Sequence, residues 1–325
     1  MSQPSSILSE AQSKILTTPC STQGQVEELT NRDCNLMYTS NQVRILLSTL
    51  HILFNKNTNT PYATMWVDNK GIKIFTEERG VFQTIIFWQK DLFTTFADMA
   101  NDTDLHIHFP MKEFLTFFET MNYEQNTTLT LCISVNNELL LQLSDPIVTA
   151  RIKIQNIADL QLPTHVFDFN NYPTTLYLTC QSLVLLPIFS SLPKNHIFIN
   201  FEASRLGELN INSGSPTDSI ETIYKNTSFE HFECSQNISA RYRLSFFKNI
   251  KKAVKRSKQV TLLINQNKLM YIECSFLSQD RNVNAEIAFY VSGQVDDLPD
   301  VAAKQEETQN SQPKTSSETK LSQKL

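Results

Sequence analysis

The chain is poor in glycine, with only six glycines among its 325 residues. So low a number disfavours Gly-rich nucleotide-binding folds and collagen-like repeats. The phosphate-binding pattern G-x-x-x-x-G-K-[ST] is missing from the sequence, and so is the nucleophile pattern G-x-S-x-G. We therefore expect a chain that does not hydrolyse ATP and has no hydrolase elbow.

Paired cysteines and long apolar runs are missing as well. The six cysteines form no C-x-x-C pair, which disfavours a zinc ribbon or finger and predicts reduced, mostly buried thiols. No stretch approaches 18 uninterrupted apolar residues, and no basic flank precedes an apolar run at the N-terminus. The sequence thus predicts an intracellular protein without a membrane span.

Positive charge is in deficit overall, since the net charge is −5. Any contact with nucleic acid must then come from a local basic stripe. Residues 245–258 supply one, with six Lys or Arg and no acid. On a helix, the apolar positions gather on one side: Phe246, Ile250, Ala253, Val254 and Ser257. The basic positions gather on the other side: Lys248, Lys251, Lys252, Lys255 and Arg256. Such a helix suits a polyanion, although a solvated lysine face gives the same pattern.

The order of predicted elements divides the chain. Residues 1–33 and 293–325 are polar and without sustained periodicity, so we predict disordered tails. The same order of elements is predicted twice, in residues 34–154 and in residues 174–292: strand, helix, several strands, helix and three strands. A connector at 155–173 joins these two halves. This pattern predicts an α+β fold with two similar halves, whose uncovered edge strands would pair with neighbouring subunits.

Three segments resemble one known family. Phe232–Gln236 running into Ala240–Ser245 and the basic helix resembles the end of the Rad-one subunit of the checkpoint sliding clamp, the "nine-one-one" heterotrimer related to proliferating cell nuclear antigen (PCNA). Asn69–Ile74, followed by Thr76–Glu78, resembles the first hairpin of that subunit, and Phe167–Phe169 matches its short motif before the second domain. The resemblance covers about residues 36–292.

The resemblance implies a two-domain, PCNA-like DNA sliding-clamp fold with antiparallel sheets outside and helices lining a central channel. It implies a non-catalytic nuclear subunit without cofactors, in a heterotrimeric ring with Rad-nine-type and Hus-one-type partners. A clamp loader related to replication factor C would close the ring around double-stranded DNA without regard to sequence. The ring would recruit checkpoint and repair effectors. A homotrimeric replication clamp and a 3′–5′ DNA exonuclease are the alternatives.

Two sets of site residues follow from this comparison. The residues expected to face the DNA channel are Lys248, Lys251, Lys252, Lys255 and Arg256, with Arg44, Lys112 and Lys56 as weaker candidates. For Arg44, a merely solvent-exposed position fits equally well. The residues that would flank a partner groove under the connector are Ile157, Leu160, Leu162, Val166 and Phe167, unless they simply pin the connector to the sheet.

Candidate catalytic and metal-binding residues are few. His106 and His108 alternate on a predicted strand, but the sequence fixes no third ligand. Glu77 and Glu78 would point to opposite faces of a strand, and Asp102 and Asp104 lie beside a predicted turn. Cleavage of DNA by metal ions needs several converging carboxylates. The sequence therefore predicts neither a metal site nor a nuclease.

Overall fold

The computed structural model describes residues 16–19, 34–53, 62–78, 80–97, 105–120, 126–134, 136–157, 167–215, 218–277 and 284–294. Two helices lie before the connector, α1 (Val43–Leu53) and α2 (Met111–Phe118), and two lie after it, α3 (Ser182–Ser191) and α4 (Phe247–Arg256). Within the described ranges, every helix is too short or too polar to span a bilayer.

The strands fall into two series on either side of the connector. The first series is β1 (Leu16–Pro19), β2 (Cys34–Ser40), β3 (Tyr62–Asp68), β4 (Gly71–Glu78), β5 (Phe82–Gln89), β6 (Thr95–Phe96), β7 (Leu105–Pro110), β8 (Thr128–Ser134), β9 (Leu139–Ser144) and β10 (Val148–Ile154). The second series is β11 (Thr174–Gln181), β12 (Phe198–Ser204), β13 (Glu208–Gly214), β14 (Ser219–Lys225), β15 (His231–Cys234), β16 (Ile238–Arg243), β17 (Gln259–Asn265), β18 (Met270–Leu277) and β19 (Asn284–Val291).

These strands form three antiparallel sheets. Their orders are β1-β10-β9-β8-β2-β6, β15-β11-β17-β18-β19-β5-β4-β3-β7 and β14-β13-β12-β16. The nine-stranded sheet joins the two halves of the chain, because β19 pairs with β5 along seven residues, from Ala285 opposite Trp88 to Val291 opposite Phe82. The predicted mixture of sheets and few helices is therefore confirmed.

The turn between β3 and β4 shows how local sequence sets the register. One carboxylate oxygen of Asp68 accepts hydrogen bonds from the backbone N–H groups of Lys70 and Gly71, at 2.8 and 3.0 Å. Gly71 has φ +156°, and a Cβ there would lie 2.2 Å from the carbonyl oxygen of Trp88. Only glycine allows the neighbouring strand to approach so closely. The hairpin that the resemblance implies around Asn69–Ile74 is therefore present, between β3 and β4.

Side-chain alternation gives the nine-stranded sheet two different faces. On β18 and β19, Ile272, Cys274, Ile287 and Phe289 are fully buried on one face, while the intervening residues occupy the other. Trp88 of β5 marks the first face as the helix side, since its indole N–H donates to Thr49 Oγ1 of α1 at 2.9 Å.

The helices contact one another in the order α2, α1, α4, α3. Helix α1 also lies against β5 and β19, α2 against β3 and β7, α3 against β11 and α4 against β18. This layer covers the buried face of the nine-stranded sheet. Helix α3 runs through Pro187, which has no N–H to donate to the carbonyl of Leu183. The Leu183 side chain is 71% exposed.

The structure corrects several predictions. Residues 16–19, assigned to a disordered tail, form β1 and pair with β10. Between β5 and β6 the chain forms a short 3-10 turn, Lys90–Leu92. Strand β15 was missed because its four residues are too few to show a period.

The prediction for the cysteines was wrong in part. Cys34 and Cys132 form a disulfide between β2 and β8, although the two residues are 98 positions apart and share no motif. Cys180 and Cys274 are buried free thiols and Cys234 is a half-buried one, as predicted for the set as a whole.

Candidate nucleic-acid interface

Helix α4 forms where apolar and basic residues alternate with a helical period. The apolar residues of its buried face are Phe247, Ile250, Ala253 and Val254, each at most 2% exposed, and Asn249 is buried beside them. Burying the three larger side chains contributes about 1.5–3 kcal/mol each to stability. Phe246 and Ser257, which flank the helix, are buried too. The apolar side predicted from the sequence is therefore the side that packs.

The opposite face of α4 is basic and open to solvent. Lys248, Lys252, Lys255 and Arg256 are exposed, and Lys251 is half-buried. Among the described residues, no carboxylate forms an ion pair with a lysine of α4. Partial burial and the neighbouring Arg256 guanidinium lower the pKa of Lys252. The face therefore carries concentrated positive charge that no acid of the described residues neutralises.

Arg256 also joins the two halves of the chain. Its Nη1 donates to the backbone carbonyl of Ser48 on α1 at 3.0 Å. The end of α4 is thereby attached to α1, next to it in the helix layer.

The remaining predicted channel residues lie on the same helix layer. Arg44 on α1 and Lys112 on α2 are both exposed. Helix α3 adds no charge, since its exposed residues are Leu183, Pro187, Ser190 and Ser191. The structure thus brings α4, α1 and α2 together with their basic residues exposed, while Lys56 lies outside the described residues. The positive charge is concentrated on α4.

A groove of about 560 Å³ lies on the other face of the nine-stranded sheet. Its lining residues are Trp66, Lys73, Ile85, Phe87, Phe167, Asp168, Phe169, Asn170, Tyr271, Glu273, Glu286, Ala288 and Tyr290. Residues 167–170 are fixed beside the sheet because the backbone N–H of Phe167 donates to Gln83 Oε1 at 2.8 Å and the Phe169 carbonyl accepts from Asn265 Nδ2 at 3.1 Å.

Carboxylates and tyrosines define the chemistry of this groove. The Tyr271 hydroxyl donates to Glu273 Oε2, and Gln89 Nε2 donates to Glu286 Oε1 at 3.1 Å. Burial and the nearby Glu273 raise the pKa of Glu286, and the same two causes raise the pKa of Tyr290 to about 12. The groove therefore combines an aromatic surface with the carboxylate of Glu286, whose ionised form is disfavoured by burial and by the nearby Glu273.

Of the residues predicted to flank a partner groove, Phe167 lines this one. Leu160, Leu162 and Val166 lie outside the described residues. The sequence analysis missed Tyr271, Glu273, Glu286 and Tyr290. The available signal was their strict alternation with apolar residues on the last two strands, which places aromatic and acidic side chains together on one face.

Among the described residues, the candidate catalytic and metal-binding side chains Glu77, His106 and His108 contact other side chains. Glu77 Oε2 accepts a hydrogen bond from Gln83 Nε2 at 2.6 Å, and Asp102 and Asp104 lie outside the described residues. The ring of His106 stacks on Trp66, and His108 Nδ1 lies 2.9 Å from Thr64 Oγ1. In the described part of the chain, no three His, Cys, Asp or Glu side chains are placed to hold a metal ion.

Comparison with known proteins decides the family. The family model described as "Repair protein Rad1/Rec1/Rad17" matches residues 35–276, well over half of the chain. The chain belongs to this family. The match includes α1 to α4 and most of the three sheets, so the family covers both halves of the described fold. A search of curated proteins found no match.

Solved clamp structures resemble the fold closely at low sequence identity. The PCNA2–PCNA3 complex from Sulfolobus tokodaii matches with a TM-score of 0.62 and 14% identity over 79% of this chain and 99% of that one. PCNA from Entamoeba histolytica matches with 0.62 and 13% over 81% and 100%, and PCNA from Thermococcus kodakaraensis with 0.62 and 14% over 80% and 100%. The protein therefore has the PCNA-like clamp fold, and the predicted fold class is confirmed.

Proposed function

We propose that the chain is a non-catalytic subunit of a heterotrimeric ring that encircles double-stranded DNA and recruits checkpoint and repair proteins. The observation that carries this proposal is the basic face of α4, exposed on the helix layer of a clamp fold. Membership of a repair-protein family supports a role in DNA repair. On this proposal its partners are two other clamp-fold subunits, of the Rad-nine and Hus-one types, and a loader related to replication factor C. Its place is then the nucleus.

The chemistry of α4 fits a protein that slides. Contacts to phosphates position a protein on DNA without reading its sequence. Long lysine side chains on a packed helix supply diffuse positive charge of this kind. Lys248, Lys252 and Lys255 would contact phosphates, with Arg256 held closer to α1 by its bond to Ser48. The uncharged α3 would make the basic lining of this subunit uneven.

The groove on the opposite sheet face suits the recruitment of effectors. Aromatic walls formed by Trp66, Phe87 and Phe167 favour apolar side chains, and Glu273 and Glu286 favour a cation. Trp88 reaches the helix layer, whereas its neighbour Phe87 lines the groove. An effector bound there would therefore not compete with DNA bound at the helices.

The first experiment is recovery of the chain with its partners from the native cell. We expect two other clamp-fold proteins in equal amount. Recovery of the chain alone or as a homotrimer would overturn the heterotrimer, and the homotrimeric result would favour a replication clamp.

The second experiment tests encirclement. The reconstituted ring is loaded onto nicked circular DNA and should stay bound until the circle is cut. The double variant Lys248→Glu with Lys252→Glu should lose most of this retention, whereas the matched variant Lys70→Glu with Lys194→Glu changes two exposed lysines outside the helices and should retain DNA. Equal retention by both variants would contradict a role for α4.

The exonuclease alternative is tested with the same material. Labelled DNA incubated with highly purified chain and Mg²⁺ or Mn²⁺ should remain intact. Degradation that disappears in the Glu77→Gln and Glu78→Gln variants would overturn the non-catalytic proposal. Degradation that survives both changes and fractionates away from the chain would come from a contaminant, which leaves the proposal standing.

A further inference from the structure

The internal repeat indicates which sheet edges would pair with a strand of a neighbouring chain. Strand β5 is the third strand after α1, and it pairs along seven residues with β19, the last strand of the second half. The corresponding strands are β14, the third after α3, and β10, the last strand of the first half. These two belong to different sheets within the chain. By the same plan, β14 of one chain would pair with β10 of the next.

The two corresponding edges are not equally available. Strand β14 pairs on one side with β13 and ends the four-stranded sheet. Strand β10 pairs with β9 on one side, but on the other side it pairs with β1. The register runs from Leu16 opposite Arg151 to Pro19 opposite Val148. Within the described residues, the β14 edge is thus open, and the β10 edge is covered by a segment of the same chain.

We propose that Leu16–Pro19 is a built-in edge cap, which occupies the β10 edge in the free subunit and must leave before the edge strand of a neighbouring clamp-fold chain can pair there. This inference rests on the proposed ring function, since it takes the neighbour to be another clamp subunit. An uncovered strand edge otherwise pairs with whatever chain it meets. The cap keeps the free subunit from doing so.

The size of the cap fits a removable cover. It spans four residues, whereas β10 has seven, so Ile152–Ile154 lies beyond it. Pro19, opposite Val148, has no N–H to donate to the ladder. Only fourteen residues separate Pro19 from Cys34, where the chain enters β2. Through this short tether the cap pairs within its own chain, so it competes intramolecularly with any other partner. It does so over four residues, whereas β14 offers seven.

The disulfide anchors the far end of this tether. Cys34 is bonded to Cys132 of β8, in the same sheet as β10. Departure of β1 therefore leaves β2 in place, and the sheet beneath β10 remains intact. A neighbouring strand could therefore replace β1 beside β10 while the rest of the six-stranded sheet stays folded.

Hydrogen exchange tests whether the cap protects the edge. The full chain is compared with a chain lacking residues 1–20 and with a control lacking residues 1–12, which keeps Leu16–Pro19. In the first truncation we expect faster exchange at Val148–Arg151 and unchanged exchange in β9. The control should match the full chain. Unchanged protection of β10 without residues 1–20 would overturn the cap.

Self-association tests whether the cap controls pairing, with the chain itself as the probe. Sedimentation velocity over a range of concentrations should show the chain lacking residues 1–20 associating at least about tenfold more tightly, as expected when the competent edge is free in a tenth or less of the molecules. The variant Thr18→Cys with Thr149→Cys, paired in register, should lock the cap and prevent this association. Thr18→Cys alone is its control.

The possible outcomes separate this proposal from the ring function. If the chain lacking residues 1–20 loses protection at β10 but does not associate more tightly, the cap does not control pairing. The same conclusion follows if the locked variant associates as tightly as the truncated chain. Neither measurement uses DNA. Failure of the ring to retain circular DNA would therefore count against the proposed function alone.

Discussion

The indole N–H of Trp88 donates to Thr49 Oγ1 at 2.9 Å, in a contact between β5 and α1 that excludes water. The Thr49 hydroxyl in turn donates to the Leu46 carbonyl at 2.7 Å. Both residues are fully buried. A single hydroxyl thus satisfies the donor of the largest buried side chain and fixes the helix layer on the sheet that joins the two halves.

Replacing this hydroxyl with a methyl group should be costly. Thr49→Val keeps the shape but leaves the Trp88 N–H unsatisfied, so we expect a loss of about 1–3 kcal/mol in the free energy of unfolding. Urea denaturation followed by tryptophan fluorescence measures it. Thr116→Val is the matched control, because Thr116 is exposed on α2 and bonds only its own helix, at the Lys112 carbonyl. Equal effects of the two changes would contradict the role of the Trp88 contact.

The basic face of α4, which we propose binds DNA, should lower the stability of the free protein. Lys252 stands four residues from Lys248 and four from Arg256, and like charges at this spacing each destabilise a helix by about 0.2–0.5 kcal/mol. We therefore expect Lys252→Gln to stabilise the free chain by about 0.4–1 kcal/mol and to weaken retention on circular DNA. Thermal unfolding and the retention assay measure the two effects. Lys194→Gln, an exposed lysine outside the helices, should change neither, and a destabilised Lys252→Gln would refute the prediction.

Local patterns made much of the helix layer predictable. The two faces of α4 follow from spacing within ten residues, and the β3–β4 turn follows from Asp68 and Gly71. In both places the residues that decide the structure are neighbours in the sequence. The period of 3.6 or the demands of a tight turn then leave few alternatives.

Long-range pairings were not predictable in the same way. The groove brings Phe87 together with Glu286, which lie on neighbouring strands but far apart in the sequence. The Cys34–Cys132 disulfide depends on the pairing of β2 with β8, and no spacing rule encodes that pairing. The position of β1 beside β10 likewise depends on sheet order. One strand alone carries no signal of which edge it will join.

The groove should respond to pH through Glu286. Burial and Glu273 raise its pKa, so its ionised form destabilises the folded chain, and stability is gained as pH falls through the raised pKa. Glu286→Gln should therefore be more stable than the original chain at neutral pH, and the difference should vanish below the ordinary glutamate pKa. Thermal unfolding across this range measures it. Glu208→Gln removes an exposed acid from another sheet and should show no such trend; a stability difference for Glu286→Gln that is constant with pH would rule the prediction out.

The disulfide should make a large contribution to stability because it closes a long loop. Cys34 and Cys132 are separated by 98 positions, and a crosslink of this kind restricts the unfolded chain by typically about 2–4 kcal/mol. We expect reductant to lower the urea midpoint of the original chain by a corresponding amount. The double variant Cys34→Ala with Cys132→Ala should unfold at a similarly low urea midpoint, and reductant should not change that midpoint. Cys234→Ser, which alters a half-buried free thiol, should keep both the midpoint and the sensitivity. A midpoint that reductant leaves unchanged in the original chain would show that the bond between β2 and β8 does not stabilise the fold.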